Sequence, residues 1–310
     1  MTTRRRALRL SFPALAMLLA AAPCTAPLPA QRADTAATKA ALLAADSALA
    51  EVVRAKGAGA FLDAADPGAA VLFPGQPILR ADSARTPFVA RYGGASVYAW
   101  RAAHAVAGAD GRFGCTVGFS RFRNAADTLR AEHGGTYLTC WRRGADRRWY
   151  IAGHQRNDSP PDGPRGTAEP VLANAPHSAT EARGGEVRPA TQKSEAAFAA
   201  MAALPEGPGP AFAKFIAPDG MLFSGADGPR GPDGVRTAFK DYPADRVIRW
   251  GPMREFGGGS GGLAFTVGHS TNGPRAGKTG PTRNGKFMTV WRQNPDRTWS
   301  YIFDLGSPRP

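Results

Sequence analysis

The chain is 310 residues long, 43% hydrophobic and 9% aromatic, enough for two ordinary domains that each bury a core. Its 37 glycines and 27 prolines argue against a helical bundle or coiled coil and for strands and turns. A formal charge of +14 and three cysteines describe a basic globular protein, and exclude a disulfide-built miniprotein and a cysteine-rich zinc module.

Residues 1–30 have the pattern of a secretory signal peptide. Arg4, Arg5, Arg6 and Arg9 precede an apolar stretch from Leu10 to Ala22, and Leu28-Pro29-Ala30 is a small-residue exit. That stretch is shorter than the roughly 20 residues a membrane span needs, and no later run comes close. The expected mature protein starts at Gln31, is exported to the periplasm or beyond, has no transmembrane segment and carries a net charge of +10. It keeps Cys115 and Cys140 in an oxidising compartment.

The remainder is written twice, at an offset of 150 residues. Trp100, Trp141 and Trp149 recur as Trp250, Trp291 and Trp299, which accounts for all six tryptophans. Phe73 aligns with Phe223, Tyr92 with Tyr242, and Thr116-Val117-Gly118 with Thr266-Val267-Gly268. Of the 78 positions from Leu72 to Trp149, 21 are identical to their partners, about three times what an Ala/Gly-rich background yields. Between the copies, residues 158–192 are rich in proline and glycine and nearly devoid of large apolar side chains, which reads as a mobile linker. The expected domains are therefore 36–157 and 193–310.

In chain order, Thr38 to Lys56 has one apolar face and stops at Gly57, which predicts a helix. A short helix at Phe61-Leu62 precedes a strand over Ala70–Phe73, and a third helix covers Ser83–Tyr92. Strands follow at Val97–Val106, Phe113–Phe122, Thr136–Arg143 and Trp149–His154. The second copy repeats the order, with a second helix interrupted by Pro205, Pro208 and Pro210. Helices first and a strand meander after define an α+β unit.

This order resembles the cone-shaped fold of nuclear transport factor 2, whose relatives include ketosteroid isomerases and SnoaL-like polyketide cyclases. The likeness is carried in the first copy by Val71-Leu72-Phe73-Pro74, Trp100, GCTVGF (114–119), GTYLTCWRR (135–143) and RRWYIAG (147–153). In the second it is carried by MLF (221–223), WGP (250–252), FTVG (265–268), GKFMTVWRQ (285–293) and TWSYIFDLG (298–306). The Thr-Val-Trp-Arg segment with its Asp-x-x-x-Trp follow-on is most similar to the bacterial branch known as domain of unknown function 4440. The resemblance implies two tandem cone-shaped domains, helices packed on a curved antiparallel sheet around a pocket, and frequent pairing through the sheet. It implies no defined activity. Where ketosteroid isomerases carry a base and an oxyanion-hole acid, this chain has Phe73 and Phe223 and, near the second position, Leu138 or Thr139 and Met288 or Thr289. That mechanism is therefore not expected.

The candidate pocket residues follow from the repeat. Asp46 and Glu195 each lie at the edge of an apolar helical face, where a buried carboxyl would have a raised pKa. The bland alternative is an exposed, helix-stabilising acid. Trp100, Tyr137 and Thr139, with Trp250, Phe287 and Thr289, offer aromatic surface and hydroxyls for an apolar ligand, or simply core packing. His154 stands where the second copy has Asp304, so the two sites would differ in ionisable groups, although the ends of strands are more often at a rim. The five histidines lack metal-ligand spacing, and nothing calls for a metal or another cofactor.

If the hairpin closes near Phe122 and His133, Cys115 and Cys140 face each other and a disulfide is possible; Phe265 and Val290 stand there in the second copy. The arginines are dispersed, so nucleic acid is not an expected partner. The leading functional expectation is a non-catalytic, exported binder of a small apolar or aromatic molecule, its two domains pairing as an intramolecular pseudo-dimer. One rival is an isomerase, dehydratase or cyclase using Asp46 or Glu195 as base, and another is a protein-interaction scaffold. A pocket closed by side chains favours the scaffold. An open pocket with a buried acid beside Thr139 or Thr289 favours the enzyme, and an open apolar pocket favours binding alone.

Overall fold

The computed structural model describes residues 34–94, 96–123, 133–157, 184–223 and 228–309. The expected signal peptide and most of the expected linker lie outside them. The first repeat runs α1 (Thr35–Lys56), α2 (Gly59–Asp63), β1 (Ala65–Leu72), β2 (Ile78–Arg80), α3 (Ala81–Tyr92), β3 (Val97–Ala107), β4 (Phe113–Arg123), β5 (His133–Arg143) and β6 (Trp149–Arg156). The second runs α4 (Gly184–Ala202), α5 (Pro208–Phe215), β7 (Ile216–Phe223), α6 (Gly231–Phe239), β8 (Arg246–Pro252), β9 (Gly258–Ser260), β10 (Leu263–Pro274), β11 (Arg283–Gln293) and β12 (Trp299–Pro308). The α+β order expected from the sequence is the observed one. No helix among the described residues is long and apolar enough to cross a membrane.

Each repeat has one sheet, ordered β2-β1-β6-β5-β4-β3 in the first and β7-β12-β11-β10-β8 in the second. The expected antiparallel sheets are mixed at one place each: β1 joins β6 and β7 joins β12 in parallel, and the remaining pairings are antiparallel. The short strand β2, absent from the sequence reading, extends the first sheet by pairing Ala70–Leu72 with Ile78–Arg80. The β5–β6 and β11–β12 turns are also repeated, each placing an arginine, Arg147 or Arg297, at positive φ after an aspartate.

Helix α1 starts at Asp34, whose carboxylate accepts the Ala36 and Ala37 amides at 2.9 and 3.1 Å, and ends at Gly57 with φ of 86°. Its buried stripe is Thr38, Leu42, Asp46, Leu49 and Val53. The same spacing in α4 buries Val187, Thr191, Glu195, Phe198 and Ala202. This corrects the expected linker, whose last nine residues belong to α4. Gly184, Gly185 and Pro189 mask a stripe that already begins at Val187.

The strands alternate between two cores. Tyr137, Thr139 and Trp141 face the helices, whereas Leu138 and Cys140 face the other sheet. That second face meets Phe265, Val267, Met288, Val290 and Phe303 in one buried cluster shared by both repeats. Phe113 stacks on Phe265 with ring centroids 6.1 Å apart and an interplanar angle of 3°. Lys286, fully buried on β11, donates to the carbonyls of Phe73 and Gln76 in the first repeat. The disulfide Cys115–Cys140 lies in this shared core, between directly opposed residues of β4 and β5.

One alignment needs correction. Ala70 pairs with Gly153 and Met221 with Phe303, so β1 and β7 correspond at an offset of 151 residues while β6 and β12 correspond at 150. Phe223 is therefore the counterpart of Leu72, in the core between sheets, and Phe73 points to its own helices. A one-residue slip in a strand exchanges its faces, which identity at a fixed offset does not detect.

Candidate functional site

The acid on the first helix of each repeat is buried and fully engaged. Asp46 Oδ1 accepts from Trp100 Nε1 at 2.8 Å and from the Tyr137 hydroxyl at 3.0 Å. Its Oδ2 accepts from the Thr116 hydroxyl at 2.6 Å, and Trp141 Nε1 donates to that hydroxyl at 2.9 Å. Glu195 repeats the arrangement, with Oε1 accepting from Trp250 at 2.7 Å and Oε2 from Thr266 at 2.6 Å and Trp291 at 3.1 Å. Burial raises both pKa values, and these hydrogen bonds oppose the rise. Neither carboxyl is the exposed, helix-stabilising acid of the bland alternative. A carboxylate offers about four acceptor positions. With three or more donors already placed, each acid ties its helix to the sheet and has little capacity left for a substrate.

Beyond this shared anchor the two interiors diverge. In the first repeat, Thr139 and His154 Nδ1 share a hydrogen bond of 2.8 Å, and the Tyr98 hydroxyl lies 3.4 Å from Nε2. Phe61 stands edge-on to the imidazole with centroids 4.7 Å apart, and Phe73 lies at 6.1 Å. His154 is buried, not at the rim, and burial followed by the nearby Arg156 charge lowers its pKa to about 3. It is a neutral core histidine. Phe88, Tyr92 and Tyr98 fill the remaining space. Asp46, Trp100, Tyr137, Thr139 and His154 come together as a polar network packed among aromatic rings.

The second repeat keeps a cavity of about 210 Å³ at the corresponding place, lined by Glu195, Trp250, Phe287, Thr289 and Asp304 together with Phe198 and Ile248. Ile248 stands where the first repeat has Tyr98, and Phe287 where it has Tyr137, so two hydroxyls and one ring are missing. Asp304 lies on β12 opposite Thr289, whose hydroxyl donates to Asp304 Oδ1 at 3.1 Å. Asp304 is buried as well, again unlike a rim residue. Burial first, and the Glu195 charge second, raise its pKa to about 7, with the Thr289 bond opposing. Near neutrality the carboxyl can therefore hold or release a proton, and as a neutral acid it can donate to a bound oxygen.

Asp304 is a candidate from the sequence, but the recurring helix acids look the more reactive there, and their saturation by donors reverses that order. The signal for the reverse assignment was a contrast: Asp46 and Glu195 recur, whereas His154 and Asp304 differ. Ile248 and Leu222, which shape the cavity, went unrecognised because an aliphatic residue on a strand carries no distinguishing mark. Among the described residues, no group of three or more His, Cys, Asp or Glu is placed to hold a metal ion.

No protein-family model matches the chain, and no curated protein matches it. Solved structures do. A ketosteroid isomerase-like protein from Erwinia carotovora atroseptica is 16% identical over 39% of this chain and 96% of its own, with a TM-score of 0.34. An NTF2-like protein with a cystatin-like fold from Novosphingobium aromaticivorans is 16% identical over 39% of this chain and 80% of its own, also at 0.34. A nuclear transport factor 2-like superfamily protein from Salmonella enterica serovar Typhimurium is 12% identical over 41% and 93%, at 0.31. Each overlap covers about the length of one repeat, and the fold described above rests on the chain's own strand order.

Proposed function

We propose that the protein is an exported small-molecule binder whose site is the cavity of the second repeat, with Asp304 as its polar anchor. The observation that carries this reading is the asymmetry between the repeats. The same fold, anchored by the same acid, tryptophan and threonine network, is filled by aromatics around His154 and hollow beside Asp304. A cavity of about 150 Å³ is enough for benzene, so 210 Å³ suits one ring with a small substituent. The walls are mostly apolar, and Asp304 and Thr289 offer one end where a hydroxyl or carbonyl finds a partner. The first repeat then serves as a packing partner. Export is supported by the N-terminal sequence pattern and by the disulfide.

A second reading, proton transfer on the bound molecule, is favoured by one specific feature. The Asp304 carboxyl, which accepts from the Thr289 hydroxyl at the cavity wall, titrates near pH 7. An isomerase- or dehydratase-like step would then use Asp304, not the helix acid.

The test is a thermal-shift screen of the purified protein against single-ring phenols and cyclic ketones, since ligands of the native state raise its melting temperature. A shift that disappears in Ile248→Tyr, which restores the first repeat's ring, is expected. No shift from any of these compounds, or one unaffected by that substitution, would overturn the assignment.

A further inference from the structure

A second concavity, about 440 Å³ in volume, lies between the repeats and outside the cavity just described. Its floor is apolar, made of Ala152 and the edges of Phe113 and Phe265, whose rings stack on each other in the shared core and are only 2% exposed. Its rim carries four arginines, Arg112, Arg142, Arg143 and Arg188, against one acid, Asp66. Arg142 is committed to that acid through two hydrogen bonds of 3.0 and 2.7 Å. Arg143 donates through Nε to the Arg147 carbonyl and lies over the Trp149 ring. Arg112 and Arg188 are exposed, and among the described residues neither guanidinium has an ion-pair or hydrogen-bond partner.

The internal repeat supplies the comparison that gives this rim meaning. Arg292, the counterpart of Arg142, makes a similar bidentate pair with Asp219 at 2.9 and 2.6 Å, end-on through Nη1 and Nη2 where Arg142 uses Nε and Nη2. Their side chains are only 8% and 11% exposed, against 52% and 25% for Arg142 and Asp66. Where the first repeat has Arg112 and Arg143, the second has Gly262 and Gln293. The duplicated brace is thus covered on one side of the molecule and open on the other, and the additional guanidiniums stand on the open side.

We infer that this groove binds a small organic anion, an aromatic carboxylate, with its ring against Ala152 and the edges of Phe113 and Phe265 and its carboxylate held by Arg112 and Arg188. Guanidinium matches carboxylate with two parallel N–H donors, and one ligand then satisfies both the uncompensated charge and the apolar floor. Inorganic anions would satisfy only the rim, and neutral aromatics only the floor.

The test is isothermal titration of the purified protein with 2-naphthoate, 2-naphthamide and acetate. The parent is compared with the double variant Arg112→Gln/Arg188→Gln and with Ile248→Tyr. The expected result is binding of 2-naphthoate at one site, at least tenfold tighter than either control compound. The double variant should weaken it by tenfold or more, and Ile248→Tyr should leave it unchanged. Both arginines are exposed, so their replacement leaves the fold intact. Equal affinity for the amide, or undiminished binding to the double variant, would overturn the inference. Loss of binding in Ile248→Tyr alone would place the naphthoate in the inner cavity and overturn it equally.

Discussion

His154 and Asp304 occupy the same register position in the two repeats, each opposite a threonine, Thr139 or Thr289, on the neighbouring strand. One is a neutral imidazole packed among aromatic rings, and the other is an acid beside empty space. The functional difference between the repeats is concentrated at this pair.

The acid has a measurable cost. The folded-state pKa of Asp304, about 7, lies above its unfolded value near 3.9. Between those values the unfolded chain releases a proton that the folded chain retains, so stability falls as pH rises from about 4 to about 7. Asp304→Asn should flatten that slope and make the protein more stable than the parent at pH 8, by on the order of 3 kcal/mol. Urea unfolding at pH 5 and pH 8 checks it, and identical pH slopes for parent and variant would count against the assignment.

The helix acids should behave as structural groups in both repeats. Removing Asp46 strands Trp100 Nε1 and the Tyr137 and Thr116 hydroxyls, and removing Glu195 strands Trp250 Nε1 and the Thr266 hydroxyl. Asp46→Ala and Glu195→Ala are each expected to lower stability by about 3–5 kcal/mol, because buried donors lose a charged acceptor. Chemical denaturation measures this directly. A loss below 1 kcal/mol in either variant would contradict the anchoring role.

Filling the cavity offers a separate check. Ile248→Tyr should abolish the ligand-induced thermal shift while leaving the fold intact, since a tyrosine already occupies the equivalent position as Tyr98. A crystal structure of the variant would locate the new ring. Retained ligand response with the ring seated in the cavity would exclude that cavity as the binding site.

The disulfide closes a loop between residues 25 apart and is buried in the shared core. Replacing both cysteines, Cys115→Ala with Cys140→Val, should cost about 3 kcal/mol through the freed entropy of the unfolded chain. Both sulfurs are shielded from solvent, so reduction of the native protein should be slow and accelerate on unfolding. Mass spectrometry of alkylated samples, native and in denaturant, follows both states. Two freely alkylated thiols in the native, unreduced protein would remove the bridge from the account.

Several elements are legible in the sequence alone. The capped helix α1, the strand meander and the duplication all follow from local signals: a repeating apolar face, glycine stops and six tryptophans in three pairs. Helix α4 was partly hidden because Gly184, Gly185 and Pro189 outweigh its propensity, yet its stripe from Val187 to Ala202 buries on the same template as α1. The register of β1 against β6 was not legible. Parallel pairing of strands about 80 residues apart leaves no local trace, so Phe73 and Phe223 looked equivalent while facing different cores.

Asp46, Glu195, His154 and Asp304 could all be named from the duplicated sequence, because the repeat shows which positions persist and which change. Their roles could not be assigned there. Whether a carboxyl is saturated by donors or left beside a void depends on side chains brought together from four or more elements. Packing is a property of the assembled volume, and a ring present at Tyr98 and absent at Ile248 turns one interior into core and the other into a cavity.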